Sequence, residues 1–161
     1  MSERRAIPVA GCVMSALVAS ACGGPQPLPP EPAPPDAPTF VSTIFDLAWN
    51  ASVDHFSAYS IPVATVDRDA GEIETERLPV APDEAIEFAD CGTVPGANPE
   101  PILATSVVYH VVVRDEGRSS TVLVTASWDT SDPNAPFPCE STGVQEGEMQ
   151  EAIKLAAEVN R

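Results

Sequence analysis

Apolar and polar positions alternate with two different periods along this chain, and the change of period marks its elements. Residues 102–114, ILATSVVYHVVVR, and 118–128, RSSTVLVTASW, are rich in β-branched side chains, and Asp115-Glu116-Gly117 turns the chain between them. This pattern predicts a long β-hairpin. With Arg114 opposite Ser119, residues Val107, Tyr109, Val111 and Val113 share a face with Ser120, Val122, Val124, Ala126 and Trp128. His110 then points away from the core, opposite Leu123, and reads as a surface histidine.

A second hairpin is expected over 61–78, IPVATVDRDAGEIETERL, turned by Asp69-Ala70-Gly71. Pairing Val66 with Ile73 leaves the loop RDAG and puts Ala64 and Thr75 on the Val66 face. Asp67, Glu72, Glu74 and Glu76 fall on the other face. Carboxylates that alternate along a strand fan out, whereas a calcium loop needs oxygens converging on one point, so a solvated acidic face is expected here.

Helical spacing governs both ends. In 42–58, STIFDLAWNASVDHFSA, Ser42 or Thr43 can cap, and Asp46 suits the first turn. Ile44, Ala48 and Ala51 share one face, and Phe45, Trp49 and Phe56 an adjacent one, which makes a stripe fit to pack on a sheet. Near the C-terminus, Thr142 and Gln145 fit a capping box, and Met149, Ala152, Ile153, Ala156 and Val159 recur at helical spacing. Residues 79–101 are rich in Pro, Gly and Asp and read as a loop with a short helix around Asp83–Phe88. The order helix, four strands, helix predicts an α+β domain: a four-stranded antiparallel sheet with the N- and C-terminal helices packed on one face.

The first 39 residues follow neither period. Arg4 and Arg5 precede an uncharged, mostly apolar stretch from Ala6 to Ala21, of a length that suits a signal peptide and falls short of a membrane span. Ala19-Ser20-Ala21-Cys22 resembles the lipobox of bacterial lipoproteins, with Ala19 where that pattern usually has Leu. The resemblance implies cleavage before Cys22 and acylation of its thiol, and acyl chains contribute about 0.8 kcal/mol per buried CH₂. Gly23, where an Asp would favour inner-membrane retention, implies the outer membrane. Eight prolines crowd residues 25–38, which predicts a polyproline II stalk reaching roughly 40 Å. The chain thus divides into a signal peptide (1–21), a lipidated Cys and Pro-rich stalk (22–39) and a single α+β domain (40–161).

Charge and cysteine count narrow the picture further. Removing residues 1–21 leaves 6 Lys+Arg against 23 Asp+Glu. So acidic a surface repels phosphates and anionic headgroups, which argues against nucleic-acid binding and against membrane attachment by charge. Cys12 leaves with the signal and Cys22 takes the lipid, so Cys91 and Cys139 remain as a pair outside the cytosol. They are expected to form a disulfide. It closes a loop of about 49 residues, worth about 4 kcal/mol in the chain-entropy account.

The element order, together with Asp67, Gly71, Ile73 and Thr75 in TVDRDAGEIETE, the paired long strands and the C-terminal helix, resembles the BamC-like helix-grip domains of outer-membrane lipoproteins. The resemblance spans about 40–161 and implies a non-enzymatic accessory at the outer membrane, without carrying over site residues. This chain departs from that pattern in having one such domain and in its Cys91/Cys139 pair.

Three functional classes follow. A periplasm-facing scaffold or envelope-assembly lipoprotein, with an envelope protein as partner, needs an anchor, a stalk and a compact domain. A small-molecule or peptide binding module needs a partly empty apolar groove near Trp49 or Trp128. An enzyme would have to use His55 beside Asp54, or His110, but helix neighbours point about 100° apart, so Asp54 is badly placed to orient His55. No GxSxG, HExxH, Walker loop or CxxC occurs. The chain is therefore expected to be non-enzymatic, with no cofactor and no metal site.

Overall fold

The computed structural model describes residues 26–34, 36–96, 98–133, 135 and 137–159. The expected signal peptide and Cys22 lie outside the described residues. In chain order the elements are β1 (Thr39–Val41), α1 (Phe45–Ala58), β2 (Val63–Asp67), β3 (Glu72–Thr75), β4 (Leu78–Pro79), α2 (Pro82–Phe88), β5 (Ala89–Asp90), β6 (Thr93–Val94), β7 (Glu100–Pro101), β8 (Ser106–Asp115), β9 (Ser120–Asp129), β10 (Glu140–Ser141) and α3 (Val144–Val159).

The β-branched hairpin is the spine. β8 and β9 pair antiparallel over their full lengths, and the sheet runs β1-β9-β8-β3-β2, with β4 also on β8. It therefore has six strands, not the four expected. The two extra strands are short: β1 follows the prolines, and β4 contains one. Neither is long enough to show a period. β3 and β4 lie end to end along β8, pairing residues 110–112 and 106–107. At the junction the Thr75 hydroxyl accepts from the Tyr109 N–H at 3.0 Å, which satisfies a donor that neither strand reaches.

The face assignment of the hairpin holds, but its register moves by two residues. Arg114 opposes Thr121, and the pairing runs on to Asp115 opposite Ser120. His110 accordingly opposes Thr125, and Leu123 opposes Val112. The cause lies in the turn: Gly117 has φ +87°, its N–H donates to the Asp115 carboxylate at 2.8 Å, and the Glu116 N–H donates to the Ser119 carbonyl at 2.9 Å. A shift of two preserves side-chain parity. Val107, Tyr109, Val111, Val113, Val122, Val124 and Trp128 are thus buried together, at about 1.5–3 kcal/mol for each large apolar side chain.

In the other hairpin Val66 opposes Ile73 as expected. A bulge at Ala64 then brings Val63, not Ala64, opposite Thr75. Gly71, at φ +72°, accepts from the Val113 N–H at 2.8 Å, and a Cβ there would lie 2.3 Å from the Val113 carbonyl oxygen.

Both α1 and α3 cover the buried face of the sheet and pack on each other. α1 buries Ala48, Trp49, Ala51, Ser52 and Phe56. Neither Ser42 nor Thr43 caps it. The Ser42 N–H donates to the Glu158 carboxylate at 3.0 Å, and the Thr43 carbonyl accepts from the Ser120 hydroxyl at 3.0 Å. The expected capping residues instead fasten the start of α1 to α3 and β9.

α3 is rotated from the expected stripe. It buries Glu146, Met149, Gln150, Ile153 and Ala157, while Ala156 and Val159 are exposed. Two polar residues turn inward because the sheet supplies partners. β1 covers β9 only at residues 120–122, so the next outward N–H, that of Val124, donates to Gln150 Oε1 at 2.9 Å. The Ser141 hydroxyl donates to Glu146. Thr142 and Gln145 form no capping box. The Thr142 hydroxyl donates to the Glu87 carbonyl at 3.0 Å, and Gln145 accepts from the Tyr109 hydroxyl.

Cys91 and Cys139 are joined by a disulfide across 48 positions, beside the short β5–β10 pair. It ties the loop after α2 to the segment before α3. The proline-rich segment is not a free stalk: from Leu28 to Ala37 its described residues lie against the domain. Leu28 and Thr93 exchange backbone hydrogen bonds at 3.2 and 3.3 Å. The Glu31 N–H donates to the Asp90 carboxylate at 2.8 Å, and the Ala37 carbonyl accepts from Gln150 at 3.4 Å. Prolines lack donors but keep carbonyls and apolar rings. Gly92 and Gly143, which have no Cβ, admit Leu28 and Pro34 at close range.

Candidate functional site

Helix ends and turns build one groove. α1 stops at Tyr59 because Ser60 takes φ +56° and the Ile61 N–H returns to the Phe56 carbonyl at 2.8 Å. That turn sets the rings of His55 and Tyr59 with centroids 4.8 Å apart and drops Ile61 toward the sheet. Across from them, α3 presents Gln145, Glu148, Met149 and Ala152, and α2 presents Glu84, around a hollow of about 720 Å³. A deeper hollow of about 190 Å³ reaches the sheet at Val107, Tyr109 and Trp128, walled by Leu78, Pro79, Val80 and Phe88. Ile61, Glu84 and Gln145 border both, so the two form one groove running from the ends of the helices to the sheet.

The inner end is aromatic. Trp128 stacks on Phe88 with centroids 6.4 Å apart and meets Tyr109 edge-on at 6.5 Å. Trp128 is 3% exposed, and its Nε1 has no hydrogen-bond partner among the described residues. An unmet buried donor costs about 1–3 kcal/mol. Burial, with Glu146 adding a like-signed charge, pushes the Tyr109 phenol far above its usual value, so it remains a neutral donor to Gln145.

The outer end is polar and carries negative charge only. Glu84 and Glu148 are exposed, and neither is ion-paired among the described residues. No Lys or Arg lines either hollow. Burial lowers the pKa of His55, so its imidazole is neutral at neutral pH.

The two tryptophans have different surroundings. Trp49 is buried and stacked on Phe45 at 5.9 Å, with the Arg68 guanidinium over both rings at 5.7 and 5.8 Å. Trp128 adjoins empty space. The histidines are not brought together. His55 lies at the groove, with Asp54 exposed beside it and no hydrogen bond between them. His110 lies on the opposite face of the sheet, 3.8 Å from Glu72. Of the acidic hairpin residues, Asp67 accepts from the Ala70 N–H of its own turn at 2.9 Å. Among the described residues no group of three or more His, Cys, Asp or Glu could hold a metal ion.

Tyr59, Glu84, Gln145 and Glu148 had no signal as site residues in the sequence. Each reads locally as a residue at or near a helix end, and only the packing of three helix ends assembles them.

No family model matches the chain, and no curated protein matches it. Among solved structures, Ara h 8.0201 overlaps it with a TM-score of 0.40 at 16% identity, over 78% of this chain and 97% of that one. TTHA0849 from Thermus thermophilus overlaps with a TM-score of 0.36 at 10% identity, over 78% and 97%. The functional reading rests on the groove itself.

Proposed function

We propose that this domain is a non-enzymatic binding module that holds a small, largely apolar molecule in the groove between the helix ends and the sheet. The observation that carries it is the open hollow against Trp128. A filled core at that position would have left only a structural domain. Ligand clefts commonly have about 300–1,000 Å³, with apolar walls and a few polar groups that orient the occupant. The outer hollow, about 720 Å³, has that volume with polar and apolar groups in nearly equal part, and the smaller inner one supplies the mainly apolar wall. The finer fold assignment, a helix-grip arrangement, belongs to the same proposal; it is supported by α3 lying along β9 with the groove at its N-terminal end.

The chain carrying this module is proposed to be lipid-anchored through Cys22 and to face the periplasm from the outer membrane. Its sequence supports that placement by the lipobox and Gly23, and the disulfide is compatible with an oxidising compartment. The scaffold reading keeps one observation in its favour: β2 is an uncovered edge with Val66 56% exposed, a place where a partner strand could add.

Titrating the full chain with Nile red separates the two readings. A groove binder takes up the neutral dye saturably, one per chain, and loses about tenfold in affinity when Met149→Trp or Ile61→Trp fills the hollow. No saturable uptake, together with recovery of an envelope protein by crosslinking from intact membranes, would replace the binding module with the scaffold.

A further inference from the structure

We infer that the occupant of this groove is an amphiphile with a cationic head, its apolar body lying toward Trp128 and its amine or quaternary ammonium at the mouth. The inference rests on the binding-module reading and adds the chemistry of the ligand to it. The inner hollow offers Leu78, Val80, Phe88, Val107 and Trp128, surfaces that favour a hydrocarbon. The mouth offers something different on each helix. α1 contributes the rings of His55 and Tyr59, 4.8 Å apart, with Tyr59 69% exposed. α2 contributes Glu84 and α3 contributes Glu148. Ring faces attract cations through their quadrupoles, and two carboxylates with no basic neighbour add Coulomb attraction.

The same arrangement selects against the commoner amphiphiles. A fatty acid would bring its carboxylate between Glu84 and Glu148 with no Lys or Arg to receive it. The whole chain, at −16, repels it further. A neutral head meets no repulsion but gains no ionic partner. The groups facing the head from the packed elements are His55 and Tyr59 from α1, Glu84 from α2, and Glu148 and Gln145 from α3. With His55 neutral, none of them is positive at neutral pH.

Three probes with the same dodecyl chain test the inference on the full-length chain, each below its micellar concentration and at neutral pH. They are dodecyltrimethylammonium, the uncharged dodecyldimethylamine oxide, and dodecanoate. Calorimetry is expected to show the ammonium binding about tenfold tighter than the amine oxide, with dodecanoate weakest. Glu84→Gln with Glu148→Gln should remove most of that tenfold preference and leave the amine-oxide affinity within about twofold. Glu74→Gln, another exposed carboxylate, on β3, controls for general attraction to an acidic surface and should change nothing. Equal affinities for the ammonium and the amine oxide, or a preference that Glu74→Gln erodes as much as the groove pair does, would overturn the cationic head while leaving the groove reading standing. Failure of all three probes to bind would overturn both.

Discussion

Gly71 is one residue whose identity the backbone dictates. Its φ of +72° and the 2.3 Å approach of the Val113 carbonyl leave no room for a side chain. Gly71→Ala is expected to destabilise the domain by at least about 2 kcal/mol, read from urea midpoints. The control is Gly147→Ala, where a Cβ meets nothing within 4 Å and the helical context favours alanine. His55 makes a second prediction at this scale. Its pKa is lower folded than the ordinary 6.5 because burial disfavours the imidazolium. The unfolded chain then binds more protons between the two values. Stability is therefore fully present above 6.5 and is lost as pH falls through the folded value. Denaturation at a series of pH values should show that slope, and His55→Gln should flatten it. Single residues were legible where the chain itself solves a local problem, as Gly71 does with its positive φ in the turn. They were not where a distant partner competes: Thr142 and Gln145 carry capping side chains that bond to Glu87 and Tyr109 instead, while the backbone groups of Ser42 and Thr43 are held by Glu158 and Ser120.

Elements were legible where they are long. Ten residues each in β8 and β9 fix which face is buried, since every second side chain votes the same way. They do not fix how far the pairing extends past Arg114, because a two-residue slip leaves all the votes unchanged. β1 and β4 were invisible for the complementary reason. Helix α3 is legible but rotated, because an apolar stripe drawn through Met149, Ala152, Ile153, Ala156 and Val159 has no place for Glu146 and Gln150, which the fold buries. A polar side chain joins the buried stripe when the sheet edge needs what it offers. Gln150 covers the uncapped N–H of Val124, so Gln150→Leu should cost about 1–3 kcal/mol despite its greater hydrophobicity. Ile153→Ala, which empties a fully buried position of the same helix, should cost about 2–5 kcal/mol. Thermal melts of both variants against the parent measure the pair.

At the scale of the whole molecule, the cysteine arithmetic was readable because only two thiols remain once the N-terminal pair is set aside, and they are found joined. A groove beside Trp128 could be named from the sequence as what a binding module needs, but its presence was not readable, because it exists only where the end of α1 meets the starts of α2 and α3. Reducing the disulfide, or replacing both cysteines with serine, is expected to remove about 4 kcal/mol, a large part of the stability of a domain this size. A comparison of guanidinium unfolding with and without reductant measures it. Labelling with palmitate, in the parent chain and in Cys22→Ser, tests the anchor: the parent should take up label and the variant none.

The docking of Leu28 and Glu31 beside Thr93 and Asp90 changes what such an anchor could do. Between Cys22 and Leu28 lie only five residues, and the whole interval spans at most about 20 Å fully extended. A protein moored at Cys22 would ride on a short leash, with its disulfide corner turned toward the bilayer. If Cys22 carries acyl chains, whatever the groove takes up would be collected from, or handed over at, the membrane surface itself.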